Sequence, residues 1–466
     1  MAISSTSSGV SVSRDLAQFV AAATFEDLSQ EAIADTERSV LDWLGSVMAG
    51  ALEPPARAVQ TVVAKLGTST EATVFSAGRA SAATAALANG VASHILELDD
   101  VHKTSTMHPG APIIPAALAV AEREHADGKA FLLAVALGYE VALRIGEAVN
   151  PSHYRFWHPT GTAATFGAAM AAGSLLKLDS VQMLNAMGSA GTQAAGLWEF
   201  NTDGAMSKHL HPGKAAFNGV LSADLALAGF TGASRILEGE RGFFRATSEG
   251  YDATRVTLGL GTKWKISENC YKLYSCCGHT HTAIDAALEL RAQLCWNGKQ
   301  ALEEIREIRI DTYKAGYEIV KEMNPQTPYR AKFSLAYVTV AALLEGWVGL
   351  AQFTANRFDG QGVIEPNIAA LLPRVLVTVS ENLSAMYPKA WSSRIQLTLK
   401  DGRILSGSAE YPRGNPENPV STSSLHDKFR SLIEPHFGVA AARSAMTAVR
   451  ELVEATDMAT MFCNLN

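Results

Sequence analysis

Three histidine-proline pairs stand out among the residues that can do chemistry, because each opens a stretch rich in alanine and glycine. They are His108-Pro109 in "MHPGAPIIPAA", His158-Pro159 in "WHPTGTAATFGAAMAAG" and His211-Pro212 in "LHPGKAAFNGVLSADLALAG". Proline is tolerated in the first turn of a helix, so each histidine is predicted at or just before a helix N-terminus. Free backbone N–H groups and the helix dipole attract anions there and oppose protonation of an imidazole. Three such ends facing one cleft would bind carboxylates beside neutral histidines able to act as bases.

Two lysines are the candidate cations of such a site, the first in otherwise apolar surroundings and the second after a polar stretch. Lys208 lies three positions before His211, and Lys272 lies in "WKISENCYKLYSCCGHTHTAIDAALEL". A buried lysine is costly unless it meets an anion or loses its proton. Each of the two is therefore predicted either to hold a substrate carboxylate or to act as a base.

The stretch "ELDDVHKTSTMHPGAP", residues 97–112, places acids and histidines between two apolar helical runs. Asp99 and Asp100 are predicted to line the pocket and to orient histidines by fixing their tautomers. Together with His102 and His108 they would offer ligands to a hard metal ion. Their spacing matches no metal-binding motif, so we predict that the site contains no metal.

The cysteines of the chain occur without CxxC spacing and are odd in number: Cys270, Cys276, Cys277, Cys295 and Cys463. This pattern favours reduced thiols in a cytoplasmic protein over a disulfide framework or a zinc site. The adjacent pair Cys276 and Cys277 is interpreted as buried and unreactive. The start of the chain lacks a basic segment followed by an apolar core, so we predict no secretory signal.

The composition bounds the kind of partner. The chain has 466 residues, 18% of them charged, and a net charge of −7. A protein of this charge does not attract nucleic acid or an anionic membrane through its overall field. No apolar run is long enough to cross a bilayer. An anionic substrate must therefore be drawn by local positive charge.

The elements that must position these side chains change in character near residue 265. Up to residue 265 the apolar residues recur at helical spacing and are mostly small, which predicts one closely packed all-helical domain, with caps at Asp127 and Asp179. Residues 266–411 mix helices with strands of period 2 and a hairpin turn at Asp401-Gly402, which indicates a smaller α+β lid domain. Residues 412–466 are predicted to be helices that pack back on the helical domain. The predicted fold class is mostly α, with an α+β second domain.

Five motifs, in this order, resemble those of the MmgE/PrpD family: "ELDDVHKTSTMHPGAPIIPA", "FWHPTGTAATFGAA", "KHLHPGKAA", "YKLYSCCGHTHTAIDA" and "NPQTPYRAKFSLAY". The resemblance covers nearly the whole chain. It implies 2-methylcitrate dehydration, cis-aconitate decarboxylation or iminodisuccinate epimerisation, all without a required cofactor. It also implies a homodimer whose site lies between a helical domain and an α+β lid.

The resemblance assigns candidate site residues one by one. It places His108, His158, Lys208 and Lys272 in the pocket as catalytic residues. The stretch that holds Asp99 and Asp100 would line the pocket, and His102 and His211 would contact the substrate. A tyrosine of the lid is also implied: Tyr313 and Tyr317 both lie near the expected place, and we select Tyr317.

Among the three activities the sequence favours epimerisation of iminodisuccinate. The dehydratases have a different pattern where this chain has "ELDDVH", and the animal decarboxylase has a histidine at the place of Cys277, although the fungal one resembles "KLYSCCG". Epimerisation needs an acid and a base on opposite faces of one carbon, which His108 or His158 and Lys272 would provide. The lyase activities of the family remain the alternative. Outside the family, the alternatives are a pyridoxal-phosphate enzyme with Lys208 or Lys272 as Schiff base and a non-catalytic carboxylate-binding protein.

Overall fold

Helices dominate the chain up to residue 257 in the computed structural model, which describes residues 11–295, 298–462 and 465. Cys463 and the first ten residues lie outside the described part. The helices of this region are α1 Val12–Ala22, α2 Gln30–Gly50, α3 Pro54–Leu66, α4 Ala82–His94, α5 Gly110–Arg123, α6 Gly128–Val149, α7 Ala163–Leu175, α8 Ser180–Gly191, α9 Phe200–Asp203, α10 Ser207–Leu227, α11 Phe243–Thr247 and α12 Thr254–Thr257. The predicted caps are confirmed, because the Asp127 and Asp179 side chains accept hydrogen bonds from the first backbone N–H groups of α6 and α8.

Small residues allow the central helices to approach one another closely. A Cβ atom on Gly90 of α4 would lie 2.8 Å from the Cα of Gly213 in α10. A Cβ atom on Gly167 of α7 would lie 2.4 Å from the carbonyl oxygen of Gly138 in α6. Both distances are too short for any side chain, so glycine is required at these crossings. The crossing of α4 and α10 matters for function, because these helices carry His94 and Lys208.

The first 265 residues were predicted to form an all-helical domain. They instead include a short antiparallel hairpin. Its strands are β1 Ala72–Val74 and β2 Gly78–Ala80, a turn over residues 75–77 joins them, and Gly78, at φ +91°, begins β2. Thr73 and Val74 are β-branched and favour strand, and glycine tolerates the positive φ that follows the turn. A period search over longer windows misses strands of three residues.

The second region carries a four-stranded mixed sheet in the order β4-β3-β5-β6, built from β3 Ile305–Thr312, β4 Val375–Val379, β5 Ser393–Leu399 and β6 Ile404–Ala409. The β3-β4 pair is parallel and the other two pairs are antiparallel. Gly402 turns the β5-β6 hairpin at φ +89°, as the Asp401-Gly402 dipeptide predicts. The helices are α13 His281–Gln293, α14 Gly298–Glu304, α15 Lys314–Val320, α16 Pro328–Ala331, α17 Leu335–Glu345, α18 Pro366–Leu371 and α19 Glu381–Met386. The predicted fold class, mostly α with an α+β second domain, is confirmed.

The end of the chain returns to helix and contacts the first domain. Helix α20, Thr422–Arg450, packs along α2 and bends at Gly438, where φ is +83°. Helix α21, Met458–Met461, packs on α5. Within the described residues, no helix combines the length and the apolar character that crossing a bilayer requires.

Candidate active site

The predicted catalytic lysines meet at one buried carboxylate, that of Glu97. Lys208, in the first turn of α10, forms an ion pair with Glu97 Oε1. Lys272, in the extended segment before α13, donates hydrogen bonds to the Glu97 carbonyl at 3.0 Å and to Glu97 Oε2 at 3.2 Å. Its Nζ also lies 3.9 Å from Asp99 Oδ1. The network joins the helical domain to the segment that leads into the α+β domain.

The charges of this network stabilise one another. Burial alone would raise the pKa of Glu97, but the ammonium groups of Lys208 and Lys272 hold it well below its usual value. Burial alone would lower the pKa of Lys272, but Glu97 and Asp99 raise it above 10.5. Lys272 is therefore an ammonium group, which can hold negative charge or donate a proton but is not a free base.

Beside the lysines lies a cluster of three imidazoles, those of His94, His108 and His158. Their ring centroids are 4.8 Å apart for His94 and His108, 5.8 Å for His94 and His158, and 6.1 Å for His108 and His158. Asp99 joins them to the lysine network, with its Oδ2 at 2.6 Å from His94 Nδ1 and 3.4 Å from His108 Nδ1. The predicted role of Asp99, orienting histidines, agrees with these contacts.

The imidazoles of His108 and His158 are neutral in the free protein. Burial is the main cause that lowers the pKa of His108 well below 6.5, and Lys272 adds to it. Burial and the neighbouring His211 lower the pKa of His158 in the same way. A neutral imidazole surrounded by cations can accept a proton once an anion enters the site.

His211 contacts the imidazole cluster through His158, but it does not lie at a helix start. Its Nδ1 lies 3.0 Å from His158 Nδ1. Helix α10 begins at Ser207, so His211 and Pro212 lie inside the helix, against the prediction. The close packing of α10 on α4 and α7 outweighs the one backbone hydrogen bond that Pro212 removes. His108 lies just before α5, as predicted, whereas His158 lies five residues before α7 and is separated from it by a turn.

The side chain of Asp100 has a structural role and does not belong to the imidazole cluster. Its carboxylate accepts hydrogen bonds from Tyr139 Oη at 2.6 Å, from Asn269 Nδ2 at 2.7 Å and from the Gly110 N–H at 2.9 Å. Burial raises the pKa of Asp100 to about 7, against the lowering effect of these bonds. The protein's own carboxylate thus occupies the N-terminus of α5, which was predicted to bind a substrate carboxylate. Asp100 contributes to the cluster through its carbonyl oxygen, 2.7 Å from His108 Nδ1.

His102 lies in a different cluster. Its Nδ1 bonds to Ser105 Oγ at 2.9 Å, and its Nε2 faces Glu147 and Glu268 at 3.7 and 3.5 Å. Lys265 bridges the same two glutamates at 3.0 Å each. His102 lines a cavity of about 640 Å³ on that side of the molecule. The four residues considered for a hard metal, Asp99, Asp100, His102 and His108, therefore do not face one point.

Of the two candidate tyrosines, Tyr313 is fully buried and Tyr317 is not. Tyr313 Oη is hydrogen-bonded to His279 Nδ1, and His279 stacks on Trp391 with 4.3 Å between ring centroids. Tyr317 lies one turn along α15 and is half-buried. Within the described residues it makes no hydrogen bond to the cluster. A helix, and not the strand assumed from the sequence, follows Tyr313 and turns the next tyrosine away.

Sequence reasoning did not select Glu97, His94 or Lys332 as site residues. Glu97 is the first acid of the stretch between the two apolar helices, and this position beside apolar sequence was the available signal. His94 is the last residue of α4, five positions before its partner Asp99. Lys332 donates to the Leu96 carbonyl at 2.8 Å, and burial lowers its pKa to about 8. Contacts across the domains identify Glu97 and Lys332, and the contacts of His94 with Asp99, His108 and His158 identify His94.

The cysteines near the site are thiols. Burial raises the pKa of Cys276 to about 12 and that of Cys277 to about 11, so neither is a thiolate near neutral pH. Cys270, Cys276 and Cys277 are buried, and Cys295 is exposed and free. The interpretation of the adjacent pair as unreactive agrees with this burial.

Comparison with known proteins identifies both parts of the chain. The family model described as the MmgE/PrpD N-terminal domain matches residues 14–256. The family model described as the MmgE/PrpD C-terminal domain matches residues 274–453. The segment between the two matches holds Lys272, which contacts Glu97 of the first.

Curated relatives resemble the chain over most of its length. A cis-aconitate decarboxylase from Aspergillus terreus is 28% identical over 394 residues, which is 81% of this chain and 79% of the relative. A cis-aconitate decarboxylase from Homo sapiens is 28% identical over 384 residues, 80% of this chain and 77% of the relative. The 2-methylcitrate dehydratase-like protein oryR from Aspergillus oryzae is 24% identical over 176 residues, 36% of this chain and 34% of the relative.

Proposed function

The chain belongs to the MmgE/PrpD family, and from that premise we propose that it is a cofactor-independent lyase that decarboxylates a small unsaturated tricarboxylate of the cis-aconitate type. The observation that carries the proposal is the placing of two lysines, Lys208 and Lys272, beside the neutral imidazoles of His108 and His158 in one buried site. The names of the decarboxylase relatives support this activity over the epimerisation that the sequence alone favours.

The lysines are proposed to hold the charge that develops in the reaction. Decarboxylation breaks the bond between a carboxylate carbon and its neighbour, and CO₂ leaves without the electron pair. The double bond of an unsaturated tricarboxylate carries that pair to a second carboxylate, which becomes an enediolate. Ammonium groups fixed in a water-poor site stabilise such a charge strongly. Lys208 and Lys272 fit this role once the substrate competes with Glu97 for them.

The imidazoles are proposed to deliver the proton that completes the reaction. One proton must reach the carbon that carries the electron pair, so that a trianion and a proton give a dianion and CO₂. His108 and His158 are neutral in the free protein. A bound polyanion raises the pKa of a neighbouring imidazole, which then takes up a proton and can return it to carbon.

The arrangement supports a lyase better than an epimerase. Inversion of a carbon needs an acid and a base on its opposite faces. Lys272 is held as an ammonium by Glu97 and Asp99, and the imidazoles gather in one cluster beside it. We infer that the imidazole cluster transfers a proton on one side of the bound substrate, while Lys272 beside it holds charge.

The test is incubation of the purified protein with cis-aconitate, 2-methylcitrate and iminodisuccinate in parallel, in deuterated water, followed by NMR. We expect cis-aconitate to lose CO₂ and to give a dicarboxylate with one deuteron on carbon. Exchange and inversion of iminodisuccinate without CO₂ release would instead establish the epimerase. Binding of all three without turnover would establish a carboxylate-binding protein.

A further inference from the structure

We propose that His94, His108 and His158 form a binding site for one divalent ion of the zinc class, and that occupation of this site blocks the enzyme. One ring nitrogen of each histidine lies within 4.8 Å of one ring nitrogen of the other two. Three imidazoles are a ligand set that zinc takes in sites with an open fourth position. The centroid separations of 4.8–6.1 Å place the rings around a common point.

The hydrogen bonds of the three rings leave the same nitrogen available on each. Nδ1 of His94 bonds to Asp99 Oδ2 at 2.6 Å, and Nδ1 of His108 bonds to the Asp100 carbonyl at 2.7 Å. Nδ1 of His158 faces Nδ1 of His211 at 3.0 Å. Metal-binding histidines characteristically donate their second N–H to a carboxylate or carbonyl oxygen, which fixes the tautomer. With Nδ1 protonated, His94 and His108 present the lone pair of Nε2, and His158 does the same when its Nδ1 donates to His211.

An independent observation points to a ligand at this place. The His94 side chain is fully buried, and within the described residues its Nε2 has no hydrogen-bond partner. An unpaired buried nitrogen costs free energy, which binding of a ligand, a water or an ion would recover. The substrate or a metal ion can do so, and the two neighbouring imidazoles favour a metal.

The local charges permit a dication. The carboxylates of Glu97 and Asp99 offset the ammonium groups of Lys208 and Lys272. Nitrogen ligands select Zn²⁺, Co²⁺, Ni²⁺ and Cu²⁺ over Mg²⁺ and Ca²⁺, which prefer oxygen.

A bound ion would inhibit the enzyme. It would take the lone pairs of His108 and His158, which the proposed reaction needs for proton transfer. This consequence rests on the proposed function, whereas metal binding itself does not. Zinc would therefore lower turnover and a chelator would restore it, the reverse of a metal cofactor.

The binding test uses metal-free protein titrated with Co²⁺, whose visible spectrum reports coordination by nitrogen, and with Zn²⁺ in competition. We expect one ion per chain in the wild type. In His94→Gln and in His158→Gln the metal affinity should fall more than about 100-fold, which is more than the loss of a residue that only hydrogen-bonds to a metal ligand would cause. His102→Gln is the matched control, because His102 belongs to the second possible group, with Glu147 and Glu268. Binding that survives both substitutions, or that is lost in His102→Gln, overturns the proposal.

X-ray absorption at the zinc edge of the wild-type complex gives a measurement that needs no variant. We expect three imidazole nitrogens around the ion, and a shell of oxygens alone would contradict the site. Turnover of cis-aconitate is then followed with Zn²⁺ and after chelation. Zinc bound to three nitrogens with unchanged turnover would contradict the inhibition, and a protein inactive on all substrates that still binds zinc would contradict the proposed function only.

Discussion

Lys272 donates hydrogen bonds to both the carbonyl and the carboxylate of Glu97, at 3.0 and 3.2 Å, although 175 positions separate them. Glu97 adopts a left-handed backbone conformation, with φ +57°, which is costly for a residue with a side chain. Its carboxylate also pairs with Lys208. One carboxylate therefore holds both cations of the site before a substrate arrives, and an incoming polycarboxylate must compete with it.

Replacement of Glu97 is expected to destabilise the fold. Glu97→Gln leaves two buried ammonium groups without their partner, and breaking a buried ion pair in this way costs about 3–5 kcal/mol. Urea unfolding measures the free energy of unfolding. Glu318→Gln is the control, because its pair with Lys321 is exposed and is worth about 0–1 kcal/mol. Equal losses in the two variants would contradict the role of Glu97.

Replacement of the lysines and the histidines is expected to affect different kinetic constants. Lys208→Met removes an ammonium group that is proposed to stabilise the developing charge as well as to bind a substrate carboxylate, so it should lower kcat and raise KM together. His158→Gln removes a proton-transfer group and should chiefly lower kcat, by ~10²–10⁴-fold. His125→Gln, at an exposed histidine paired with Asp457, should have near wild-type constants. Steady-state kinetics with cis-aconitate checks this, and near-normal kcat in His158→Gln would remove it from the mechanism.

Binding of a tricarboxylate is expected to take up protons. The pKa of His108 lies well below 6.5 in the free protein and rises when a polyanion binds. The complex then holds more protons than the free protein, so affinity increases as the pH falls between the two pKa values. Calorimetry of the saturated analogue tricarballylate, in buffers of different ionisation enthalpy, measures the uptake. An affinity that is flat with pH and a zero uptake would disprove this coupling.

Acid is expected to destabilise the protein through its buried neutral histidines. Burial lowers the pKa of His153 from 6.5 to about 4. The unfolded chain therefore binds a proton that the folded chain does not, and stability is lost as the pH falls from 6.5 towards 4, by up to about 3 kcal/mol for this one residue. Urea unfolding across that range gives the slope. His153→Gln should have a shallower slope, and an unchanged slope would assign the effect to other groups.

The sequence predicted the kind of each element better than its position. Asp127 and Asp179 cap helices because capping depends on residues three positions apart. Pro212 predicted a helix start and instead lies inside α10. Packing against α4, which no local pattern contains, decides where that helix begins.

The sequence also indicated which types of residue form the site, but it did not indicate which individual residues belong to it. His108, His158, Lys208 and Lys272 were predicted together and lie in one network, but Asp100, His102 and Tyr317 face elsewhere. His94 and Glu97 lie in the network without a motif that selects them. Titratable groups in an apolar sequence indicate a site without indicating their partners.

By itself, the sequence determined the helical and α+β character of the two regions, because hydrophobic period is a property of neighbouring residues. It also determined that any attraction for an anion had to be local, because the net charge is −7. Only the tertiary structure decided that Glu97 holds Lys208 and Lys272, and that Asp99 orients His94 rather than lining an open pocket. Ionisation in a buried site depends on charges a few ångströms away in space, and those charges come from positions far apart in the chain.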